Sequence, residues 1–143
     1  MTHFIYERTA NYYETDCMGV IHHSNYIRWF EEARVAFLDH IGANYAKMES
    51  GGIISPVLSV SCEYKSSVRF ADTVLIEVKI SDYNGFKLFF DYTVTDKESG
   101  DVRTVGKSSH CFIDKEGKLL RLNRVAPELH NIIIGCMNDE KEA

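Results

Sequence analysis

The sequence lacks any run of the ~20 apolar residues that a membrane-spanning helix needs. Its first residues contain no basic segment followed by an apolar core, which is the pattern of a secretory signal peptide. The 4 cysteines are scattered along the chain and none forms a C-x-x-C pair, as is typical of single thiols in a reducing compartment. We therefore expect a cytoplasmic protein with no membrane partner.

Basic residues are also in the minority, with 16 lysines and arginines against 21 acidic residues and a net charge of −5. They form no stripe, which argues against a general nucleic-acid binder, although a local patch could still hold a small phosphate-bearing ligand. The sequence has no internal repeat, linker or low-complexity segment. Its length fits one domain over residues 1–143, and 45% hydrophobic residues suffice for a core.

One segment has clear helical spacing. From Asn25 to Ile41 the apolar residues recur every three or four positions, which predicts a long amphipathic helix. Ser24 or Asn25 can cap its start, and Gly42 stands where a left-handed residue ends a helix. The charged residues, Arg34 among them, are expected on the opposite, solvent-facing side.

The remaining residues are mostly typical of β-strands. Strands are predicted at residues 4–13, 57–65, 73–81, 86–95 and 102–113. Asn84-Gly85 predicts a hairpin turn, and short helices are expected at 43–49 and 127–135. A long helix followed by a succession of hairpins indicates an α+β fold, in which an antiparallel sheet of about five strands wraps a central helix.

Polar residues directly precede the long helix in the stretch D-C-M-G-V-I-H-H-S-N-Y, Asp16 to Tyr26. Gly19 allows a tight turn with positive φ, which would bring the Asp16 carboxylate back over the helix start. Around His23 the helix N-terminus offers unpaired backbone N–H groups and the positive end of the helix dipole. A carboxylate beside such donors is a candidate reaction centre for a carbonyl substrate.

The longer run Y-x-E-T-D-C-M-G-V-I-H-H-S-N-Y-I-R-W-F-E-E-A-R resembles the first motif of the hotdog-fold acyl-CoA thioesterases, in their 4-hydroxybenzoyl-CoA thioesterase-like branch. The segment Y-K-S-S-V-R-F-A-D, Tyr64 to Asp72, resembles that branch's loop after the second strand. Two positions depart from the pattern, because many relatives have proline at Ser67 and an aromatic residue at His22. The resemblance covers most of the chain and implies the hotdog fold.

The resemblance also implies an activity, the hydrolysis of an acyl-CoA to a free acid and CoA. Asp16 would be the catalytic carboxylate, and the backbone N–H of His23 would point at the thioester oxygen. The residues expected to line the substrate pocket are Gly19, Val20, Asn25 and Tyr26. No metal or redox cofactor is implied, since CoA is part of the substrate. Subunits would pair through a continuous sheet, often as a homotetramer built from two dimers, with the active site at the subunit boundary.

The loop Lys65-Ser66-Ser67-Val68-Arg69 offers two cations and two hydroxyls in five residues. Because an acidic protein cannot attract CoA from a distance, we expect Lys65 and Arg69 to bind its phosphates locally. Arg69 can grip phosphate oxygens bidentately, whereas Lys65 acts as a point charge. The alternative is an ordinary solvated loop.

Several readings stay open from the residues alone. Asp16 could simply cap its turn, and its catalytic role could be that of nucleophile or of general base. The substrate could be an acyl-carrier-protein thioester, or the domain could bind acyl thioesters without turnover. A hotdog hydratase is a weaker alternative, because no separate Asp/His pair has the spacing of a hydratase. A metal site is disfavoured because adjacent histidines fit poorly on one ion and no H-x-x-x-H spacing occurs.

Overall fold

The computed structural model describes residues 4–142. The predicted order of the five main strands, the long helix and the two shorter helices is confirmed, and one further short helix lies between the last strand and the terminal helix. The elements are β1 Phe4–Thr9, α1 Ser24–Ile41, α2 Tyr45–Ser50, β2 Val57–Tyr64, β3 Thr73–Tyr83, β4 Lys87–Asp96, β5 Val102–Cys111, α3 Leu122–Val125 and α4 Pro127–Glu142. Within residues 4–142, no helix is both long and apolar enough to cross a membrane.

The five strands form one antiparallel sheet in the order β1-β3-β4-β5-β2. The alternation predicted for β3 is confirmed, because its even-numbered apolar residues are buried: Val74, Ile76, Val78 and Ile80. Gly85 has φ 91° in the turn between β3 and β4, as the Asn-Gly signal predicts. β1 and β2 are the two edge strands, so β2 has a neighbour on only one side.

Helix α1 packs on the sheet through its apolar face. Trp29 and Phe30 are fully buried, and the Phe30 ring stacks on Tyr92 of β4 with centroids 4.4 Å apart. The helix ends at Gly42, whose left-handed φ of 85° confirms the predicted terminus. Its other end, at Ser24, directly follows the polar loop that the sequence singles out.

Two predicted boundaries are wrong by more than two residues. The first strand ends at Thr9 rather than Tyr13, because Ala10 bonds to the loop at residues 71–72 and Asn11 then caps a 3₁₀ turn over Tyr12–Glu14. The last helix continues past Gly135 to Glu142, because the buried side chain of Met137 extends its packed face.

Arg34 was expected in solvent but is buried, with 6% of its surface exposed. Its guanidinium donates hydrogen bonds to the hydroxyls of Tyr45 and Tyr92, and it forms no ion pair with a carboxylate of the described residues. Tyr92 is also bonded to Ser108, which lies 2.8 Å from Nε2 of His110. Burial, and then the charge of Arg34, lower the pKa of His110 to about 4, so this histidine is neutral at pH 7.

Candidate active site

The Asp16 carboxylate closes the loop that leads into α1. Its Oδ1 accepts hydrogen bonds from the backbone N–H of Met18 at 2.8 Å and of Val20 at 3.4 Å. The Asp16 N–H donates back to the Val20 carbonyl at 2.8 Å. Oδ2 has no hydrogen bond to any residue in the described range. One carboxylate oxygen thus serves the turn, and the second is available for chemistry.

Gly19 makes this turn possible. Its φ is 79°, in the left-handed region that was expected for it. A Cβ placed there would meet nothing within 4 Å. The position therefore needs glycine for its backbone conformation and not for space.

The start of α1 is capped differently from the prediction. Neither the Ser24 nor the Asn25 side chain bonds to the first helical N–H groups. Instead, Nδ1 of His22 accepts the Ser24 N–H at 3.2 Å, and the Asn25 amide donates to the Glu14 carbonyl at 2.9 Å. No sequence signal points to this cap, because histidine is not a preferred capping residue.

His23 is exposed at the helix start, and its ring stacks on that of His22 at 4.2 Å. Its carbonyl accepts a hydrogen bond from the Tyr64 hydroxyl at 3.0 Å. No acceptor for the His23 N–H is found among residues 4–142. The His23 N–H, which was predicted to contact a thioester oxygen, therefore has no hydrogen-bond acceptor among these residues.

The other predicted pocket residues hold the loops together. Asn25 and Tyr26 are both buried, and the Tyr26 hydroxyl accepts the Val68 N–H at 3.4 Å. Val20 pairs with Arg69 in an isolated β-bridge. The loop after β2 is thus joined to the loop that carries Asp16, as the two motifs taken separately could not show.

The two predicted phosphate ligands differ in their surroundings. Lys65 is half-exposed and lies 3.8 Å from the Glu63 carboxylate, a weak pair in solvent. Arg69 is exposed, and its guanidinium forms no ion pair with a carboxylate of the described residues. Of the two cations, Arg69 is therefore the one that has no competing carboxylate among the described residues.

Two residues that contact this region were missed from the sequence. Tyr64 bonds to the His23 carbonyl from the edge strand β2. Glu14 is buried two residues before Asp16, bonded to Arg8 and to the indole of Trp29. Glu14 stands three residues after Asn11 in an N-x-x-E pattern, which is a capping-box signal that could have found it. Tyr64 opens the segment Tyr64 to Asp72, but no role was predicted for its hydroxyl, because its partner His23 is 41 residues away in the chain.

No group of three or more His, Cys, Asp or Glu side chains suited to a metal ion occurs in the part of the chain that the structure describes. His22, His23 and Asp16 therefore do not converge as ligands in this structure. The absence of a metal requirement stays a prediction.

Comparisons with known proteins place this geometry in context. The family described as the thioesterase-like superfamily matches residues 11–132. The Bacillus subtilis protein YneP, provisionally described as an acyl-CoA thioesterase, is 34% identical over 125 residues, covering 87% of this chain and 90% of that protein. A 1,4-dihydroxy-2-naphthoyl-CoA hydrolase of Prochlorococcus marinus is 26% identical over 121 residues, covering 80% and 79%.

A solved structure extends the similarity to three dimensions. The DHNA-CoA thioesterase from Staphylococcus aureus superimposes with a TM-score of 0.91 and 35% sequence identity. The match covers 99% of this chain and 96% of that protein. The fold and the sequence motifs therefore point to the same relatives.

Proposed function

The chain belongs to the thioesterase-like superfamily, and on that premise we propose that this acyl-CoA thioesterase uses Asp16 as its catalytic carboxylate. Its fold is the α+β hotdog fold, with α1 as the proposed central helix of a single domain over residues 1–143. One observation carries the assignment of Asp16. Its Oδ1 is fixed by the loop, while Oδ2 is unbonded within the described residues at the entrance to α1.

The reaction adds water across the thioester bond. If the Asp16 carboxylate attacks the carbonyl carbon, the C–S bond breaks and a mixed anhydride forms, which water then hydrolyses to the free acid and the regenerated carboxylate. If Asp16 acts as a general base, it takes a proton from the water that attacks the carbonyl carbon, and the C–S bond then breaks. In both cases the leaving thiolate takes up the proton that the water gives up. The His23 N–H and the positive end of α1 stabilise the charge that develops on the carbonyl oxygen. Water is the only co-reactant, so the proposed reaction needs no redox cofactor. We propose that it needs no metal either, because the N-terminus of α1 can polarise the carbonyl in place of a metal ion.

We propose an aromatic acyl group for the substrate. One support is the relative that hydrolyses 1,4-dihydroxy-2-naphthoyl-CoA. A second is the cluster of rings at the helix start, where Tyr64 lies edge-on to His23 at 6.4 Å and to Tyr26 at 5.2 Å. Tyr64 is half-exposed, and exposed ring edges and faces bind planar aromatic groups favourably.

A hydrolysis screen tests this function. Purified protein is offered short, long and aromatic acyl-CoA thioesters and an acyl-carrier-protein thioester, and released thiol is measured with and without EDTA. We expect the highest kcat/KM for the aromatic acyl-CoA substrates, unchanged by EDTA. A higher kcat/KM for the acyl-carrier-protein thioester than for any acyl-CoA would identify the carrier-protein thioester as the substrate. Tight binding of a thioester without release of thiol would identify a non-catalytic binding module.

The proposed cytoplasmic location is consistent with the state of the cysteines. Cys17, Cys62 and Cys111 carry free thiols, as is usual in a reducing compartment. Fractionation of cells that express the full chain tests this location. Finding the protein outside the soluble cytoplasmic fraction would contradict the proposal.

The substrate's phosphates are proposed to bind at Lys65 and Arg69. Because the two cations flank the loop that is paired with Val20, a pantetheine arm leaving the Asp16 loop would pass them. Lys65→Ala and Arg69→Ala should each raise KM for acyl-CoA several-fold, with the larger effect at Arg69, since an unpaired guanidinium can bind phosphate bidentately.

The matched control is a truncated acyl-pantetheine thioester, which has the same reacting bond but lacks the CoA phosphates. Its KM and kcat should be almost unchanged in both variants. Equal losses on both substrates would show that the loop shapes the pocket, and the phosphate assignment would be withdrawn.

We propose that the protein assembles through β2, as a dimer or a dimer of dimers. β2 lies at the edge of the sheet, and its exposed large hydrophobic side chains are Val57, Leu58, Val60 and Tyr64. An exposed apolar edge strand is a surface for pairing with a second chain. Because Tyr64 also bonds to His23, such pairing would place the site at the subunit boundary.

Light scattering at micromolar concentration should give the mass of a dimer or tetramer. Val60→Lys, which puts a charge on this edge, should release monomers. Ile5→Lys provides a control, because Ile5 is exposed to a similar degree on the opposite edge strand β1. A stable wild-type monomer would refute assembly, and dissociation by Ile5→Lys alone would move the interface to β1.

A further inference from the structure

Glu14 is a buried carboxylate that stands two residues before Asp16. Only 4% of its surface is exposed. Its Oε1 accepts from Arg8 Nη1 and from the Asn11 N–H, both at 2.8 Å. Its Oε2 accepts from Arg8 Nη2 and from Trp29 Nε1, both at 2.9 Å. The side chain is therefore fixed from three directions, by β1, by the 3₁₀ turn and by α1.

The carboxylate is stable as an anion in this position. Burial alone raises the pKa of Glu14, but the hydrogen bonds from Arg8, Asn11 and Trp29 outweigh burial and hold the pKa below its usual range. Four charge-assisted or N–H hydrogen bonds on one buried carboxylate restrict its rotation far more than a surface ion pair does.

The backbone of Glu14 closes the loop that carries Asp16. Its carbonyl accepts the His22 N–H and the Asn25 side-chain amide, both at 2.9 Å. The adjacent bridge between Thr15 and Ile21 continues this closure. Glu14 thus anchors the first residues of the loop to its last residues and to the first turn of α1.

We infer that Glu14 is a positioning residue for Asp16. Its side chain locks the 3₁₀ turn to β1 and α1, and its carbonyl holds the far end of the loop, so the direction of the Asp16 carboxylate is set before substrate binds. The inference rests on the proposed catalytic role of Asp16. A shift of about 1 Å in a reacting group can cost on the order of 10²-fold in rate, so loosening this anchor should slow turnover.

A purely structural ion pair is the alternative, and Glu32 provides the comparison. Glu32 binds the same Arg8, through Nε at 2.8 Å and Nη2 at 3.2 Å, and also the Tyr6 hydroxyl. It is half-exposed and has no hydrogen bond to the Asp16 loop. Glu14→Gln and Glu32→Gln therefore remove the same charge from the same arginine, but only the first loosens the anchor of the loop.

The experiment measures kcat and KM for wild type, Glu14→Gln, Glu32→Gln, Asp16→Asn and the double variant Glu14→Gln/Asp16→Asn. We expect Glu14→Gln to lower kcat by about ten- to a hundredfold with KM within about twofold. Glu32→Gln should leave both constants near wild type. In the Asp16→Asn background, Glu14→Gln should cause no further loss, because a residue that acts through Asp16 has nothing left to position.

The outcomes separate this inference from the proposed function. Wild-type kcat in Glu14→Gln, or the same fold-loss in the Asp16→Asn background, overturns the inference while Asp16 stays catalytic. Near-normal turnover in Asp16→Asn overturns the proposed function instead. If circular dichroism shows that Glu14→Gln is unfolded, Glu14→Asp replaces it, because the aspartate keeps the charge opposite Arg8 on a shorter arm. Wild-type kcat in Glu14→Asp would then refute the positioning role.

Discussion

Replacing Asp16 by asparagine should lower kcat by about three orders of magnitude and leave the protein folded, since a carboxylate that acts as base or nucleophile supplies a gain of roughly this size. The asparagine carbonyl can still accept the N–H groups of Met18 and Val20, which now bond to Oδ1. Only the second oxygen is exchanged, for an amide that neither attacks a carbonyl nor takes a proton. The loss should therefore fall on turnover and not on stability.

The measurement is steady-state kinetics with the best acyl-CoA of the screen, together with thermal denaturation of each variant. Cys17→Ser is the control within the same loop, because Cys17 is exposed and is the adjacent nucleophilic side chain. It should keep wild-type kcat, because the proposed reaction uses the Asp16 carboxylate and no thiol.

If Asp16→Asn turned over at nearly the wild-type rate, the carboxylate would be a turn-capping group and nothing more. The structure supports a turn-capping role, because Oδ1 accepts the Met18 N–H within the turn. A variant that lost stability along with activity would also favour the structural role. Loss of turnover with an unchanged melting temperature separates the two roles of one side chain.

The features that were predictable from the sequence are those fixed by local chemistry. The left-handed conformation of Gly19 follows from the tight turn between Asp16 and the helix. The burial of alternate β3 residues follows from the period of two in the strand. The end of α1 at Gly42 follows from the preference of glycine for that conformation. Each of these depends on residues within a few positions of one another.

The features that could not be predicted depend on residues far apart in the chain. Arg34 is buried because Tyr92, on β4, presents a hydroxyl to it, and the helical spacing alone assigned it to solvent. The side chain of Asn25 does not cap its own helix, because its amide donates to the Glu14 carbonyl. In each case a tertiary partner outweighed the local preference.

Helix α1 packs so closely on the sheet at Gly106 that a substitution of this glycine is expected to lower stability strongly. This glycine lies on β5, and a Cβ built there would overlap Cε2 of Phe30 and lie 2.6 Å from Cζ of the same ring. It would also lie 2.8 Å from the Ser61 carbonyl on the neighbouring strand β2. Neither contact relaxes easily, because one is backbone and Phe30 is fully buried against Tyr92.

Gly106→Ala should therefore destabilise the fold by about 3 kcal/mol, at the upper end of what overpacking usually costs. For a domain of this size, that free energy corresponds to a fall in melting temperature of roughly 10 °C. Gly135→Ala is the matched control, because nothing lies within 4 Å of a Cβ at that helical position. It should raise stability by about 0.5–1 kcal/mol, since alanine is the better helix former.

A second substitution locates the cause of the loss. Phe30→Leu removes the ring that the new methyl group meets, so Gly106→Ala should cost less in the Phe30→Leu background than in the wild type. The remaining cost comes from the Ser61 carbonyl, which the second substitution does not move. Equal costs in both backgrounds would mean that Phe30 does not pack over Gly106. The position of α1 on the sheet, and with it the placement of His23 at the site, would then have to be revised.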